Sequence, residues 1–161
     1  MNTLEKQVDA LMRLCTACDE ATRNEAREEI RFLLQGGANP HRGSDPEWVL
    51  REILLELGAP DHLLGHPYVV QAILLVVEDR MYIDSITFGL YPQLAARFGT
   101  TAARVERAIR HLIEVTWTRG DLDVLTRYFG NTVSPEKGKP TNGEFIARLA
   151  NVVKQRLREN T

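Results

Sequence analysis

Three arginines spaced by three residues mark the segment of this chain best suited to meet negative charge. Arg104, Arg107 and Arg110 lie within TTAARVERAIRHLIEVTWTR. At about 100° per residue they share roughly one third of a helix circumference. The opposite side carries small or apolar residues and a threonine, namely Val105, Ala108, Ile109, Leu112 and Thr116. One face can therefore pack while the other meets a polyanion, as a helix in the DNA major groove requires.

The residues before this helix predict a helix-turn-helix unit. A short helix over Tyr91–Phe98 leads to a turn at Gly99, and the next helix begins near Thr101. Such units often have glycine in a short turn, and the small Ala95 lets the two helices approach closely. Thr100 and Thr101 are both residue types that cap helix N-termini. The expected apolar seam consists of Leu94, Phe98, Val105 and Ala108.

The arginine face alone does not identify a DNA-binding helix, because such faces are commonly solvated surface. The glycine and small residues of the turn favour DNA binding. Glu106 lies at the edge of the basic face, where its carboxylate could accept from cytosine N4, while arginine could donate to guanine O6 and N7. His111 could touch a phosphate or could equally cap or pack.

Composition is that of a globular protein, with 43% hydrophobic and 26% charged residues among 161. The net charge of −2 is unevenly placed. Residues 1–60 hold 7 Lys and Arg against 11 Asp and Glu, whereas residues 61–161 hold 13 against 11. No apolar run approaches the ~20 residues of a membrane span. We therefore expect a cytoplasmic protein without a membrane partner, whose basic surplus lies in the candidate DNA-binding part.

Helical periodicity through most of the chain predicts an all-α fold. Apolar stripes in residues 3–18 and 21–35 predict an N-terminal helical hairpin over 1–36. The glycine- and proline-rich GGANPHRGSDP predicts a linker over 37–46, which leaves 47–161 as the DNA-binding domain. MYIDSITF gives a weak strand signal. Further helices are expected from Pro46 to Gly58, from about Pro67 to Asp79, from a cap at Asp121 to about Tyr128, and from a cap at Thr141 to near Arg158.

Other candidate chemical groups do not form a pattern typical of an enzyme. Cys15 and Cys18 form a CxxC, but neither a thioredoxin-like context nor further zinc ligands accompany it, which favours structural burial. His62 and His66 have a metal-ligand spacing, yet the surrounding glycine and proline favour a loop or helix start. We expect no catalytic site, no metal and no cofactor.

The segment TTAARVERAIRHLIEVTWTRGDLDVLTRYFG resembles the effector domain of the stage zero sporulation protein A response regulator. The resemblance extends from ILLELGAPDHLLGHPYV through DSITFGLYPQLAARFGT to GNTVSPEKGKPTNGEFIA, about two thirds of the chain. It implies a six-helix, all-α effector domain containing a helix-turn-helix. It also implies that the helix over about 102–117 enters the major groove and reads a short box resembling TGTCGAA, often in tandem copies.

The resemblance further implies roles for individual residues. The positions that read bases match Glu106, Arg107 and Arg110. Contacts with the DNA backbone are expected from Thr100, Thr101, Arg104, His111, Lys137 and Lys139. Relatives also use the short helix after the recognition helix to touch the RNA polymerase sigma factor. That segment carries Asp121, Asp123 and Arg127, although an ordinary capped connector helix would look the same.

The N-terminal part departs from the family pattern. Only about 45 residues precede the effector-like part, too few for a phosphorylatable receiver domain. One hypothesis is a constitutive DNA-binding regulator whose hairpin dimerises or regulates it, with a homodimer on tandem DNA sites. The alternative is a non-enzymatic interaction protein or antagonist that binds RNA polymerase or another regulator. The retained Glu106, Arg107 and Arg110 favour the first hypothesis.

Overall fold

The computed structural model describes residues 42–130, 133 and 138–160. Residues from Gly43 onward form one compact unit. A 3₁₀ turn (Arg42–Ser44) precedes the first helix, and a π-helical turn (Ile86–Leu90) precedes the fourth. No strand occurs in the described ranges. The α-helices are α1 (Pro46–Glu56), α2 (Gly65–Glu78), α3 (Met81–Asp84), α4 (Tyr91–Phe98), α5 (Ala102–Arg119), α6 (Leu122–Phe129) and α7 (Asn142–Glu159).

Side-chain caps begin four of these helices. Asp45 accepts from the Glu47 amide at the start of α1, where Pro46 needs no hydrogen-bond acceptor. Thr101 caps α5, and Asp121 accepts from two amides at the start of α6. Thr141 forms a capping box on α7, because its side chain accepts from the Glu144 amide while the Glu144 carboxylate accepts from the Thr141 amide. These polar residues fix the helix starts independently of the core.

The core is built around α2, which packs against both α5 and α7. Nine of the fourteen residues of α2 are buried, so the helix is covered on most sides. The other long helices each bury one apolar stripe against it, as an amphipathic helix does. On α5 this stripe consists of Val105, Ile109, Leu112, Ile113 and Thr116, and on α7 of Phe145, Ile146, Leu149, Ala150 and Val153.

Three aromatic rings join the C-terminal half of α5 to α6 and α7. Trp117 meets Phe129 edge-on with ring centroids 5.0 Å apart, and Phe129 stacks on Phe145 at 5.3 Å. Such pairs add to the stabilisation that burial of the rings provides. These rings pack on the buried side of α5, whereas the side that carries the arginines faces solvent.

The all-α prediction is confirmed, and six of the helices contain eight or more residues. The structure differs in detail from the sequence-based expectations at two places. Helix α2 begins at Gly65 rather than Pro67, since proline is tolerated within a first helical turn. The MYIDSITF stretch forms α3 and the π-helical turn, and its Tyr82, Ile83 and Ile86 pack against the core of helices.

Several predictions fall outside the described residues. They concern the hairpin over 1–36, half of the linker over 37–46, Cys15, Cys18 and Lys137.

Candidate nucleic-acid interface

The helix-turn-helix unit consists of α4, a three-residue turn and α5, as the sequence predicted. Gly99 ends α4 with φ 62° and ψ 41°, a left-handed conformation that glycine adopts without steric penalty. The Thr100 amide donates to the Ala95 carbonyl at 2.9 Å and closes the turn. Thr101 then begins α5 by accepting from the Arg104 amide at 3.3 Å. The sharp turn therefore brings the two helices together at Ala95, which is buried.

The seam between α4 and α5 differs from the prediction at one residue. Leu94 and Val105 are fully buried, and Ala108 is partly buried. Phe98 is 37% exposed, and its ring lies 4.8 Å from that of Tyr68 on α2. Phe98, the last residue of α4, therefore contacts α2. Residue spacing within one helix does not determine which other helix its last side chain contacts.

The two faces of α5 are separated as the sequence predicted. Arg104, Arg107, Arg110 and His111 are exposed, whereas the opposite stripe is buried in the core. Among the described residues, neither Arg104 nor Arg107 has an ion-pair partner. Both side chains lie on the exposed face of α5. Since α5 spans about 27 Å at 1.5 Å per residue, this face is long enough to follow a groove.

Arg110 is already paired within the helix. Its guanidinium donates to the carboxylate of Glu106, one turn earlier, and the Glu106 side chain is 31% exposed. Glu106 therefore lies at the edge of the basic face and holds Arg110 in an ion pair.

Lys139, which lies outside the helix-turn-helix, pairs with a residue of α5. Its Nζ lies 2.9 Å from Oε1 of Glu114, and both side chains are nearly half exposed. The hydrogen bond from Lys139, together with its positive charge, holds the pKa of the Glu114 carboxyl below its usual value. Gly138 precedes it with φ 67°, and Pro140 after it is buried. The lysine therefore adds a cation beside the arginine face.

Asn142 was not among the residues predicted from the sequence, although its side chain bonds directly to both helices of the helix-turn-helix. Its Nδ2 lies 3.0 Å from the Tyr91 hydroxyl and 3.0 Å from the Glu106 backbone carbonyl. Its position directly after a strong helix cap at Thr141 was the only local signal. With Lys139, Glu106 and Arg110, it lines a cleft of about 990 Å³ between α5 and the start of α7.

The short helix α6 presents the residues assigned to polymerase contact. Asp121, Asp123 and Arg127 are exposed, and Leu122 between the two aspartates is 76% exposed. Asp121 also caps the helix, so its carboxylate has a structural role as well. Helix α6 is thus a capped connecting helix. It also exposes two aspartates on either side of an apolar leucine.

Among the described residues, the histidines and carboxylates outside this interface do not converge on a metal. His62 is exposed in the turn before α2, whereas His66 is buried in its first turn. Within the described ranges, no group of three His, Cys, Asp or Glu residues is placed to hold an ion. No described helix is both long and apolar enough to cross a bilayer.

A comparison with known protein families identifies the family to which this helical domain belongs. Residues 50–153, nearly two thirds of the chain, match the family described as Sporulation initiation factor Spo0A C terminal. The match includes all of α2 to α6 and most of α1 and α7. Members of this family are DNA-binding effector domains that regulate transcription in sporulation. The chain belongs to the Spo0A C-terminal family and is a DNA-binding regulator.

Proposed function

We propose that this protein regulates transcription by reading a short DNA box with α5 in the major groove. The observation that carries the proposal is the exposed arginine face of α5. This face is backed by a buried stripe and follows a turn in which Gly99 is left-handed. A helix held in this way can enter a groove about 12 Å wide without losing its packing.

Within this proposal, Arg107 and Arg110 donate to base edges, and Glu106 either accepts from a cytosine amine or holds Arg110 for this purpose. Arg104, His111 and Lys139 contact phosphates, together with Thr100 and Thr101 at the helix start. Phosphate contacts would set the register on the duplex, whereas the base contacts would set the preferred sequence. Lys137 is assigned to the backbone contacts from the family resemblance alone.

The first experiment is a fluorescence-anisotropy titration against a duplex carrying TGTCGAA and a scrambled duplex, at two salt concentrations. The native protein should prefer the box. Arg107→Ala should remove about 1–3 kcal/mol of binding to the box and relax one base position. Equal losses on both duplexes would contradict direct base reading by Arg107.

Arg119→Ala provides a matched control. Arg119 is exposed on the same helix, twelve residues or about 18 Å further along. Its removal should leave the preference for the box unchanged. If the native protein bound both duplexes equally and with strong salt dependence, the box assignment would be wrong. If it bound neither at low salt, the alternative of a protein-binding antagonist would be favoured.

A second proposal concerns α6, for which the exposed Leu122 is the specific observation. We propose that Leu122, flanked by Asp121 and Asp123, contacts a basic and apolar surface of the RNA polymerase sigma factor. Leu122→Ser and Asp123→Asn should reduce transcription activation while leaving DNA affinity unchanged. Loss of DNA affinity in parallel with activation would instead assign α6 to the stability of the domain.

Binding of two copies to tandem boxes is a further part of the proposal. Light scattering over a concentration series without DNA would test intrinsic association. A monomer at every concentration, combined with cooperative binding to duplexes carrying two boxes, would indicate that DNA brings the copies together.

A further inference from the structure

Asn142 lies where three helices meet. It is the first residue of α7, and its side chain reaches Tyr91 at the start of α4 and the backbone of Glu106 on α5. A carboxamide has two N–H groups, and here each one is directed at a different acceptor, both 3.0 Å away. One side chain therefore ties α7 to both helices of the helix-turn-helix.

Both acceptors are fixed in place. Tyr91 is 6% exposed, and burial raises the pKa of its phenol even though the Asn142 hydrogen bond acts in the opposite direction. The phenol is therefore neutral near physiological pH, with its oxygen free to accept. The Glu106 carbonyl belongs to the helical backbone and also accepts from the Arg110 amide in the regular helical pattern. Asn142 thus contacts the turn of α5 that carries both Glu106 and Arg110.

We propose that Asn142 is a positioning residue that sets where α5 presents Glu106 and Arg110 to DNA. The inference deepens the proposed function and rests on it. Base reading requires groups held within about 0.5 Å of their productive positions, whereas phosphate attraction tolerates much larger displacements. Asn142 therefore supports discrimination between sequences and contributes little to general affinity.

The surrounding contacts allow Asn142 to be changed without unfolding the domain. The capping box that begins α7 uses Thr141 and Glu144 and does not need Asn142. The seam between α4 and α5 is held by Leu94 and Val105, which are fully buried. Asn142→Leu keeps a similar side-chain size but removes both donors, and Asn142→Ala provides a second variant without added apolar surface.

The test measures affinity for the TGTCGAA duplex and for the scrambled duplex with each variant. Both Asn142 variants should lose about three- to tenfold in affinity for the box, because Glu106 and Arg110 are no longer held at their productive positions. The scrambled duplex and the salt dependence should be unchanged. Tyr91→Phe should give a smaller loss in the same direction. Combined with Asn142→Leu it should add nothing, because its effect acts through Asn142.

Amide hydrogen exchange without DNA separates this inference from the proposed function. Asn142→Leu should speed exchange of the Arg110 amide and its neighbours in the first half of α5, and leave the second half unchanged. Unchanged exchange, or equal losses on both duplexes, would overturn the positioning role. If the native protein showed no preference for the box while exchange responded as expected, the proposed base reading would fail and the Asn142 link would stand as a structural one.

Discussion

Gly65 lies directly against the backbone of Ala108 on α5. A Cβ atom at Gly65 would sit 2.2 Å from the Ala108 carbonyl oxygen, 2.8 Å from its carbonyl carbon and 2.9 Å from Cβ of Leu112. The first turn of α2 can therefore approach α5 only because residue 65 has no side chain. This contact supports α5 on the side opposite its exposed arginines.

Gly65→Ala should destabilise the domain by about 3 kcal/mol, because the atoms in the way belong largely to the backbone and cannot rotate aside. Urea unfolding would measure the loss. Gly89→Ala is a suitable control, since its nearest contact would be the Ser85 hydroxyl at 3.3 Å. The control should change stability by less than about 1 kcal/mol. Equal effects of the two changes would mean that α2 can shift away from α5.

Local features of this fold could be predicted from the sequence, because their causes are local. Caps at Asp121 and Thr141 involve residues two or three positions apart, and the left-handed turn at Gly99 needs only a glycine in the right place. The arginine face follows from helical spacing alone. The family resemblance added the expected role of this face, and the family match confirms a DNA-binding domain.

Contacts between distant residues could not be predicted in the same way. Asn142 bonds to residues 36 and 51 positions earlier, and Lys139 pairs with Glu114 across 25 positions. Such bonds depend on how α7 packs, which no local pattern specifies. The packing of Phe98 differs from the predicted seam for the same reason. Its ring contacts Tyr68 on α2, a neighbour that the local sequence does not identify.

Lys139→Ala should weaken binding to the TGTCGAA and scrambled duplexes by similar factors. Phosphate contacts carry no sequence information, so the preference for the box should persist. The slope of log affinity against log salt should flatten by about one, as expected for one phosphate contact fewer. Titrations at several salt concentrations would measure both effects.

Lys154→Ala is the control for this change, because Lys154 lies on α7 about 18 Å from its first residue. It should leave the salt slope unaltered. A loss confined to the box in Lys139→Ala would instead assign Lys139 to base or shape reading. An increase in affinity on both duplexes would show that the pairing with Glu114 keeps Lys139 away from DNA.

His66 should make the domain less stable in mild acid. Burial lowers its pKa from 6.5, and the nearby positive charge of Arg51 lowers it further, while Asp61 acts in the opposite direction. The unfolded chain therefore binds a proton more readily than the folded one, so stability is full above pH 6.5 and falls as the pH drops below it. Urea unfolding at several pH values should show that the free energy of unfolding falls as the pH drops below 6.5. His66→Phe should reduce this dependence on pH. His62→Gln, at an exposed position, should keep it.

Tyr128 connects three helices through its hydroxyl, which donates to the Glu56 carboxylate on α1 and accepts from the Arg156 guanidinium on α7. Arg148 also donates to the Tyr128 backbone carbonyl at 2.6 Å. Tyr128→Phe removes only the hydroxyl and leaves Arg156 about 3.4 Å from Glu56. We expect a loss of about 1–2 kcal/mol in the free energy of unfolding at neutral pH, since the lost bonds involve charged partners.

The same variant should alter stability at high pH. Burial, followed by the hydrogen bond to Glu56, raises the pKa of Tyr128 from 10.0 to about 12. An unfolded tyrosine ionises near pH 10. The stabilisation of the folded state by protonated Tyr128 is therefore full below pH 10 and is lost as the pH rises through about 12. Burial also raises the pKa of Tyr91, but that residue is present in both proteins, and the difference between native and Tyr128→Phe isolates Tyr128. If the difference in unfolding free energy between the native protein and Tyr128→Phe did not change between about pH 10 and 12, the raised pKa of Tyr128 would be contradicted.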